Sequence, residues 1–465
     1  MNVILTGSSD RYQRTYSEKK KTTQDWREPA ERDSDRILYS SAFRRLAGVT
    51  QVVSADEGHV FHNRLTHSLQ VAQVARRLAE RLIRKDKSLT LRLGGIDPDV
   101  AQAAGLAHDL GHPPFGHVAE DELDRLVTDV HKVPDGFEGN AQSFRIVNAL
   151  AHRAPAPHPP GLNLTPATLN AMLKYPWFRE LDASNSKPAV ELSTGGKALK
   201  TKKASKFGAY SLERDQFNAA RALFPTAGSD LKTPEAEIMD WADDLTFAVH
   251  DAEDFYRAGL IPLDRLSLDD DAERTHFFDG ITARPELLRM IGGSLTSDYT
   301  NAFYRVIIGF PLDEKYVGTT AQRSSLRNFM SALIGTYINA FELVEPKTTG
   351  ARFLAIHPSV EKQVRMLKLL TWHYVILNPS LATQQHGQRR IIRTLMEILH
   401  EAAATGNESV FPLAFKDQVT NSRGDAALTT RIITDIVSGM TERQAVEMYH
   451  RLTGVELGSI FDTLL

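Results

Sequence analysis

The chain has 465 residues, is 42% hydrophobic and 24% charged, and carries a formal net charge of -3. That balance is ordinary for a soluble globular protein, and it argues against a dedicated nucleic-acid coat while leaving local basic patches open. There are no cysteines, which excludes thiolate metal sites, disulfides and a cysteine nucleophile. Neither a signal peptide nor an apolar run of membrane-spanning length is visible, so the expectation is a cytoplasmic protein with no membrane partner.

In chain order, residues 1–30 are polar and read as a loose N-terminal arm, one that a neighbouring subunit would order. Asp33 to Ala47 reads as helix and carries Arg44 and Arg45, with Gln51-Val52-Val53 as a short strand or turn. From His62 a long amphipathic helix follows. Val71, Val74, Ala75, Leu78, Ala79 and Leu82 form its inner stripe, and Arg76, Arg77, Glu80 and Arg81 face out. His67 lies one turn before Val71, on the buried stripe. Asp97-Pro98 starts another helix, an acid at the cap and proline in the first turn. Val100, Ala103, Ala104 and Ala107 recur along it at helical spacing. His108 and Asp109 end it, Gly111 and Pro113-Pro114 stop it, and a new helix near Gly116 sets His117 and Glu120 on one face.

Further on, a helix from about Gln142 to Ala151 offers Arg145 as a phosphate contact. Residues 154–160 hold four prolines and read as loop. Thr165-Pro166 begins a helix running to Lys174-Tyr175-Pro176. Residues 183–206 are rich in Ser, Asn, Gly and Lys and read as a flexible, cationic loop. Pro234 to Gly259 reads as a largely buried helix on which Asp243, Phe247 and Asp251 stack along one face. Acids on a buried helix need a partner. Beyond it come amphipathic helices at Ser324–Leu343, Glu361–Val375, Gln388–Ala404 and Thr430–Arg451. No repeat and no sustained strand pattern is evident, so the fold class is mainly α. Its organisation is an arm over 1–30, a core over 31–260 and a helical C-terminal region over 261–465 packed on that core.

The stretch from Ala107 to Glu120 concentrates His108, Asp109, His112, His117 and Glu120 among small and apolar neighbours. Ionisable clusters beside apolar surface usually mark function. Adjacent His-Asp offers nitrogen and oxygen to one ion, and mixed imidazole and carboxylate ligation suits Mn, Fe, Zn, Ni or Mg.

His67, then His108-Asp109, then Asp243, in that order and on helices, resembles the ligand signature of the HD superfamily of metal-dependent phosphohydrolases. The run His108-Asp109-Leu110-Gly111-His112-Pro113-Pro114-Phe115-Gly116-His117 is similar to the deoxyguanosine triphosphate triphosphohydrolase branch. So are Phe43-Arg44-Arg45-Leu46 with Gln51, Phe137-Glu138-Gly139-Asn140-Ala141-Gln142, Leu173-Lys174-Tyr175-Pro176-Trp177, Lys206-Phe207-Gly208 and Ser438-Gly439-Met440-Thr441. The match runs from about residue 30 to near the C-terminus.

The resemblance implies an HD-type helical core with additional C-terminal helices and few short strands. It implies one divalent ion, Mn2+ or Mg2+ first, with Fe2+, Co2+ and Ni2+ also compatible, held by His67, His108, Asp109 and Asp243. The implied reaction is hydrolysis of a dNTP, dGTP or a broader set, at the α-phosphate to deoxynucleoside and inorganic triphosphate. From the residue types, His117 is expected to be the proton-transfer residue, with Glu120 orienting it and His112 contacting the phosphates or the transferred oxygen. Arg44, Arg64, Asn140, Lys174, Tyr175 and Lys206 belong to the substrate pocket, and Gln51 meets the 3′-hydroxyl. Phe247 packs under C2′ and Asp251 receives the 3′-hydroxyl. The family more often has tyrosine at Phe247, so the ring face is kept and the phenolic hydroxyl is not. The resemblance also implies a homo-oligomer, tetramer or hexamer, and allows activation by a regulatory nucleotide and binding of single-stranded DNA. Two alternatives remain open at this stage. One is another HD phosphohydrolase acting on nucleoside monophosphates, signalling nucleotides or single-stranded nucleic acid. The other is a nucleotide-regulated binding or sensor assembly.

Overall fold

The computed structural model describes residues 9–17, 25–51, 62–153, 160–180, 203–224, 230–268, 271–346 and 352–456. Among these the protein is helical apart from one two-stranded hairpin.

The helices begin where the sequence supplies a side-chain oxygen for the first free backbone amides. After α1 (Pro29–Leu38), Ser40 Oγ accepts from the Phe43 amide and starts α2 (Ser41–Arg45). The single helix expected over 33–47 is therefore two, because Ser40 caps a new start. Asn63 caps α3 (Arg64–Lys85) and Asp97 caps α4 (Pro98–Ala107). Gly116 leads into α5 (His117–Arg125), which runs on through a wider turn to His131. Glu138 caps α6 (Gly139–Arg145), Thr165 caps α7 (Pro166–Ala171) and Thr233 caps α8 (Pro234–Arg257).

The C-terminal half contributes α9 (Ser297–Ile307) and α10 (Thr320–Asn339). Next come antiparallel β1 (Phe341–Leu343) and β2 (Leu354–Ile356), paired Phe341 to Ile356 and Leu343 to Leu354. The expected helix to Leu343 stops short because Phe341 and Leu343 turn inward around an exposed Glu342, a strand alternation. Then follow α11 (Pro358–Thr371), α12 (Pro379–Thr405), α13 (Ala426–Ser438) and α14 (Glu442–Thr453). The helix expected over 430–451 is broken at Gly439-Met440-Thr441, where Thr441 and Gln444 form a capping box for α14.

Among the described residues, the three largest of four apolar clusters hold the elements together. Val71, Leu78 and Leu82 of α3 pack with Ile238, Leu245 and Val249 of α8 and with Phe303 and Leu367 from the C-terminal half. Ala103, Ala104 and Ala107 of α4 join Ile37, Phe144, Leu164 and Met239. Leu123 of α5 packs on Met396, Ile433 and Met440 from α12 and the α13 region. The C-terminal half thus backs both α8 and α5, the helices that flank the His108 turn. Helices α3 and α4 touch because Gly105 has no side chain: a Cβ there would lie 2.6 Å from the Ala72 Cα. That approach sets the start of α3 beside the end of α4.

Residues 9–17 are anchored rather than loose. Tyr12 donates to Asp97 at 2.8 Å, Arg11 pairs with Glu235 at 3.1 Å, and Arg14 reaches Asp33 at 2.5 Å. Residues 183–202 of the lysine-rich loop, Val52 and Val53, and residues 154–159 of the proline loop lie outside the described residues.

Candidate metal centre and active site

His67 sits at the start of α3, 3% exposed; His108 and Asp109, each 4% exposed, follow the last turn of α4. The turn that carries them is fixed from several sides. Gly111 lies so close to α6 that a Cβ would be 2.2 Å from the Gly139 carbonyl oxygen. The Gly111 amide donates to Ser143 Oγ at 2.8 Å, and that hydroxyl meets the His108 carbonyl at 2.9 Å. Arg45 donates to the carbonyls of Leu110, His112 and Met440 at 2.7, 2.8 and 3.0 Å. Phe115 is held at φ 66°, a left-handed conformation that costs a side-chain-bearing residue on the order of 1–3 kcal/mol. Its amide donates to Glu442 at 3.2 Å, from the start of α14.

Four ligand atoms face one corner. The His108 Nδ1 hydrogen goes to the Gly105 carbonyl at 2.8 Å, which leaves Nε2 bare and turned inward. That Nε2 lies 3.4 Å from Asp109 Oδ1 and 3.6 Å from Asp243 Oδ1. His67 Nε2 is 3.0 Å from the same Asp243 oxygen, with Gln51 at its other nitrogen, 3.2 Å away. Atoms of His67, His108 and Asp109 all lie within 4.8 Å of one another. The outer carboxylate oxygens are clasped: Arg64 donates to Asp109 Oδ2 at 2.9 Å and Lys174 to Asp243 Oδ2 at 2.7 Å. Such outer partners orient ligands toward a metal.

The buried His108 Nε2 has no hydrogen-bond partner among the described residues. A buried bare nitrogen is costly, and a divalent cation amid two imidazoles and two carboxylates satisfies it. The donor set fits such an ion. Without one, burial disfavours charge on His108, yet Asp109 and Asp243 outweigh it and hold its pKa up at about 9. Burial pushes Asp109 up as well, but His108, Arg64 and His112 bring it well below the usual carboxylate range. For Asp243, Lys174 and the two histidines overcome burial in the same direction. His112 is pushed down to about 4 by burial and by Arg64, so it is neutral at pH 7.

Beside this corner His117 Nδ1 donates to Glu120 Oε2 at 2.8 Å, its ring 66% exposed while Glu120 is buried. The His112 and His117 rings meet edge-on with centroids 5.5 Å apart. Lys206 Nζ does not stand free: it donates to Glu120 at 2.8 Å and lies 3.1 Å from Glu138. Asn140 Nδ2 likewise donates to Glu138, at 2.9 Å. Lys174 bridges Asp243 and Asp240, the latter at 2.9 Å. Tyr175 is half-buried, its ring centroid 5.7 Å from that of Trp177. Phe247 and Asp251 follow Asp243 along α8; Lys368 Nζ lies 5.8 Å from the Phe247 ring, and burial raises Asp251 well above the usual range. Arg44 is exposed on α2, whereas Arg45 beside it turns inward.

Arg145 is not open to a phosphate. It is buried with Nη2 2.7 Å from Asp435 and Nη1 2.5 Å from Glu213. Sequence reasoning left Arg45, Ser143, Glu138, Asp240 and Glu442 without site roles. Arg45 and Glu138 carried a signal, inside the Phe43–Leu46 and Phe137–Gln142 motifs; the others are assigned by contacts between distant segments.

Residues 64–151 match the HD domain and residues 354–451 the phosphohydrolase-associated domain. The chain is 34% identical over 437 residues to a deoxyguanosinetriphosphate triphosphohydrolase-like protein of Streptomyces coelicolor, covering 91% of this chain and 92% of that one. A protein of the same description from Shewanella sp. (strain ANA-3) is 31% identical over 469 residues, covering 96% and 97%. One from Corynebacterium efficiens is 30% identical over 468 residues, covering 95% and 97%. With the HD match spanning His67, His108 and Asp109 and the relatives aligning almost end to end, the chain belongs to the metal-binding HD-domain phosphohydrolases, within the deoxyguanosinetriphosphate triphosphohydrolase-like proteins.

Proposed function

We propose that this protein hydrolyses deoxynucleoside triphosphates at the α-phosphate, releasing a deoxynucleoside and inorganic triphosphate. The observation that carries the reading is the order of groups on α8: Asp243 at the ligand corner, then the Phe247 ring one turn on, then the buried Asp251 carboxyl. Phosphate, sugar face and 3′-hydroxyl would be met in that sequence along one rigid helix. The relatives' description as deoxyguanosinetriphosphate triphosphohydrolase-like supports the same substrate class.

His67, His108, Asp109 and Asp243 would hold the divalent ion, whose chemistry at such a corner is polarisation of a phosphate oxygen and acidification of a water. The chain's own side chains do the rest. Arg64 and Lys174 keep the two carboxylates aimed at the corner. Neutral His112 hydrogen-bonds phosphate oxygen without adding charge. His117, its Nδ1 hydrogen held by Glu120, exchanges a proton at Nε2 with the reacting oxygen. The Phe247 ring leaves no room for a 2′-hydroxyl. Asp251, its carboxyl pushed up by burial, hydrogen-bonds the 3′-hydroxyl.

The test is a panel of the four dNTPs and GTP with Mn2+, Mg2+ and Co2+, products resolved by anion exchange. Deoxynucleoside with intact triphosphate is expected. Release of monophosphate and pyrophosphate, or of orthophosphate, would reject the reading.

A further inference from the structure

We infer that Lys206 and Glu138 are positioning residues that keep Glu120 ionised and His117 in its Nδ1–H tautomer, so that Nε2 is the bare nitrogen presented to substrate. The inference rests on the reading of His117 as the proton-transfer group.

Two buried carboxylates share one ammonium. Lys206 Nζ lies 2.8 Å from Glu120 Oε1 and 3.1 Å from Glu138 Oε1. Every oxygen of the pair has a donor. Glu120 Oε1 also accepts from the Gly139 amide at 3.2 Å, and its Oε2 takes the His117 Nδ1 hydrogen at 2.8 Å. Glu138 Oε2 caps α6 through the amides of Asn140 and Ala141, at 2.5 and 3.1 Å. The lysine is pinned at its backbone, where its carbonyl accepts from Trp177 Nε1 at 2.6 Å. Neither acid can swing away, and Lys206 cannot leave for a phosphate without stranding both.

Charge balance explains the arrangement. Two adjacent buried carboxylates cannot both stay ionised without a cation. Without Lys206, Glu138 keeps three donors, the amides of Asn140 and Ala141 and Asn140 Nδ2, whereas Glu120 keeps, among the described residues, only the Gly139 amide and the His117 hydrogen, so the proton goes to Glu120. Among the described residues, His112, Asp121 and Tyr175 also stand around the pair, with Arg389 beyond Asp121. None of them is a cation positioned to replace the lysine. If Glu120 took up a proton, its carboxyl would donate to His117 Nδ1. The ring hydrogen would then move to Nε2, and the nitrogen facing substrate would lose its capacity to accept a proton.

The decisive variant is Lys206→Met, read in two ways. Imidazole 15N spectra of the substrate-free protein should show His117 changing from the Nδ1–H to the Nε2–H tautomer. Turnover at neutral pH should fall about 10- to 100-fold, the scale for losing an outer partner, with little change in KM. Lys206→Arg, which keeps the cation, and Lys206→Met with Glu138→Gln, which removes both charges, should each restore the tautomer and most of the rate. A KM rise at unchanged kcat, with no rescue by Glu138→Gln, would make Lys206 a phosphate contact and overturn the inference. So would an unchanged tautomer in Lys206→Met, or a changed one in either compensated variant. Because the tautomer needs no substrate, it decides this inference even if the protein hydrolyses no dNTP.

Discussion

Replacing Arg145 by leucine should loosen the joint between the HD domain and the phosphohydrolase-associated domain while leaving the chemistry alone. The guanidinium donates from Nε to both Asp435 oxygens at 3.0 Å and from Nη2 at 2.7 Å, and its Nη1 reaches Glu213. Asp435 is 2% exposed and Glu213 3%. After the substitution these two buried carboxylates keep one side-chain amide between them, Gln142 Nε2 on Asp435 at 2.9 Å. Removing one partner of a buried pair costs about 3–5 kcal/mol because the other charge is stranded. Against a total stability on the order of 5–15 kcal/mol, that is roughly a fifth or more. Urea unfolding followed by both circular dichroism and tryptophan fluorescence measures it. Adding Asp435→Leu should recover part of the loss, since the stranded charge leaves with it. Folded Arg145→Leu, assayed at low temperature, should keep the wild-type KM. A loss below about 1 kcal/mol would refute the buried-pair argument, and a tenfold rise in KM would return Arg145 to the phosphate.

Metal removal should act on stability as well as turnover. A chelated sample should lose activity and about 2–3 kcal/mol of stability relative to protein with ion at 100 times its Kd, and Asp109→Asn should abolish both responses; an unaltered melting curve on chelation would refute the His67–His108–Asp109–Asp243 assignment. Phe247→Ala should open space at the sugar and raise GTP turnover relative to dGTP by about 10- to 200-fold. Equal selectivity in the variant and the wild type would place the 2′-hydroxyl check elsewhere. His131 and His400 stack with centroids 3.6 Å apart, and burial pushes His400 down to about 4. The unfolded chain, with an ordinary pKa near 6.5, binds more protons between those values. Stability present above about pH 6.5 is therefore lost as pH falls toward 4, by up to about 3 kcal/mol. His400→Gln should lose less than wild type between pH 7 and pH 5, and equal losses in calorimetry would sink the argument.

Much of the site is legible in the residues themselves because its parts are local. Asn63, Asp97 and Thr233 announce helix starts through bonds to amides two or three residues on. The apolar stripe of α3 puts His67 inward, and one dipeptide sets His108 beside Asp109. The order His67, His108-Asp109, Asp243 then resembles the HD ligand signature, which implies a shared ion. Helix breaks are less legible: Ser40 and Thr441 sit inside patterns that look continuous, and each ends one helix by starting the next.

The distribution of partners among charges is settled only by the tertiary structure. Arg44 and Arg45 are neighbours with the same side chain, yet Arg45 alone reaches the His108 turn and the Met440 carbonyl, 395 residues away in sequence. Arg145, a candidate phosphate contact in the sequence, is taken by Asp435 across 290 residues. Lys174 and Lys206 are committed to carboxylates on other helices. A helix cap is satisfied within one turn, so its signal lies in a few consecutive letters. A buried cation takes whichever carboxylate the packed helices carry to it, and that meeting depends on close approaches such as Gly105 against Ala72 and Gly111 against α6, which no stretch of sequence contains.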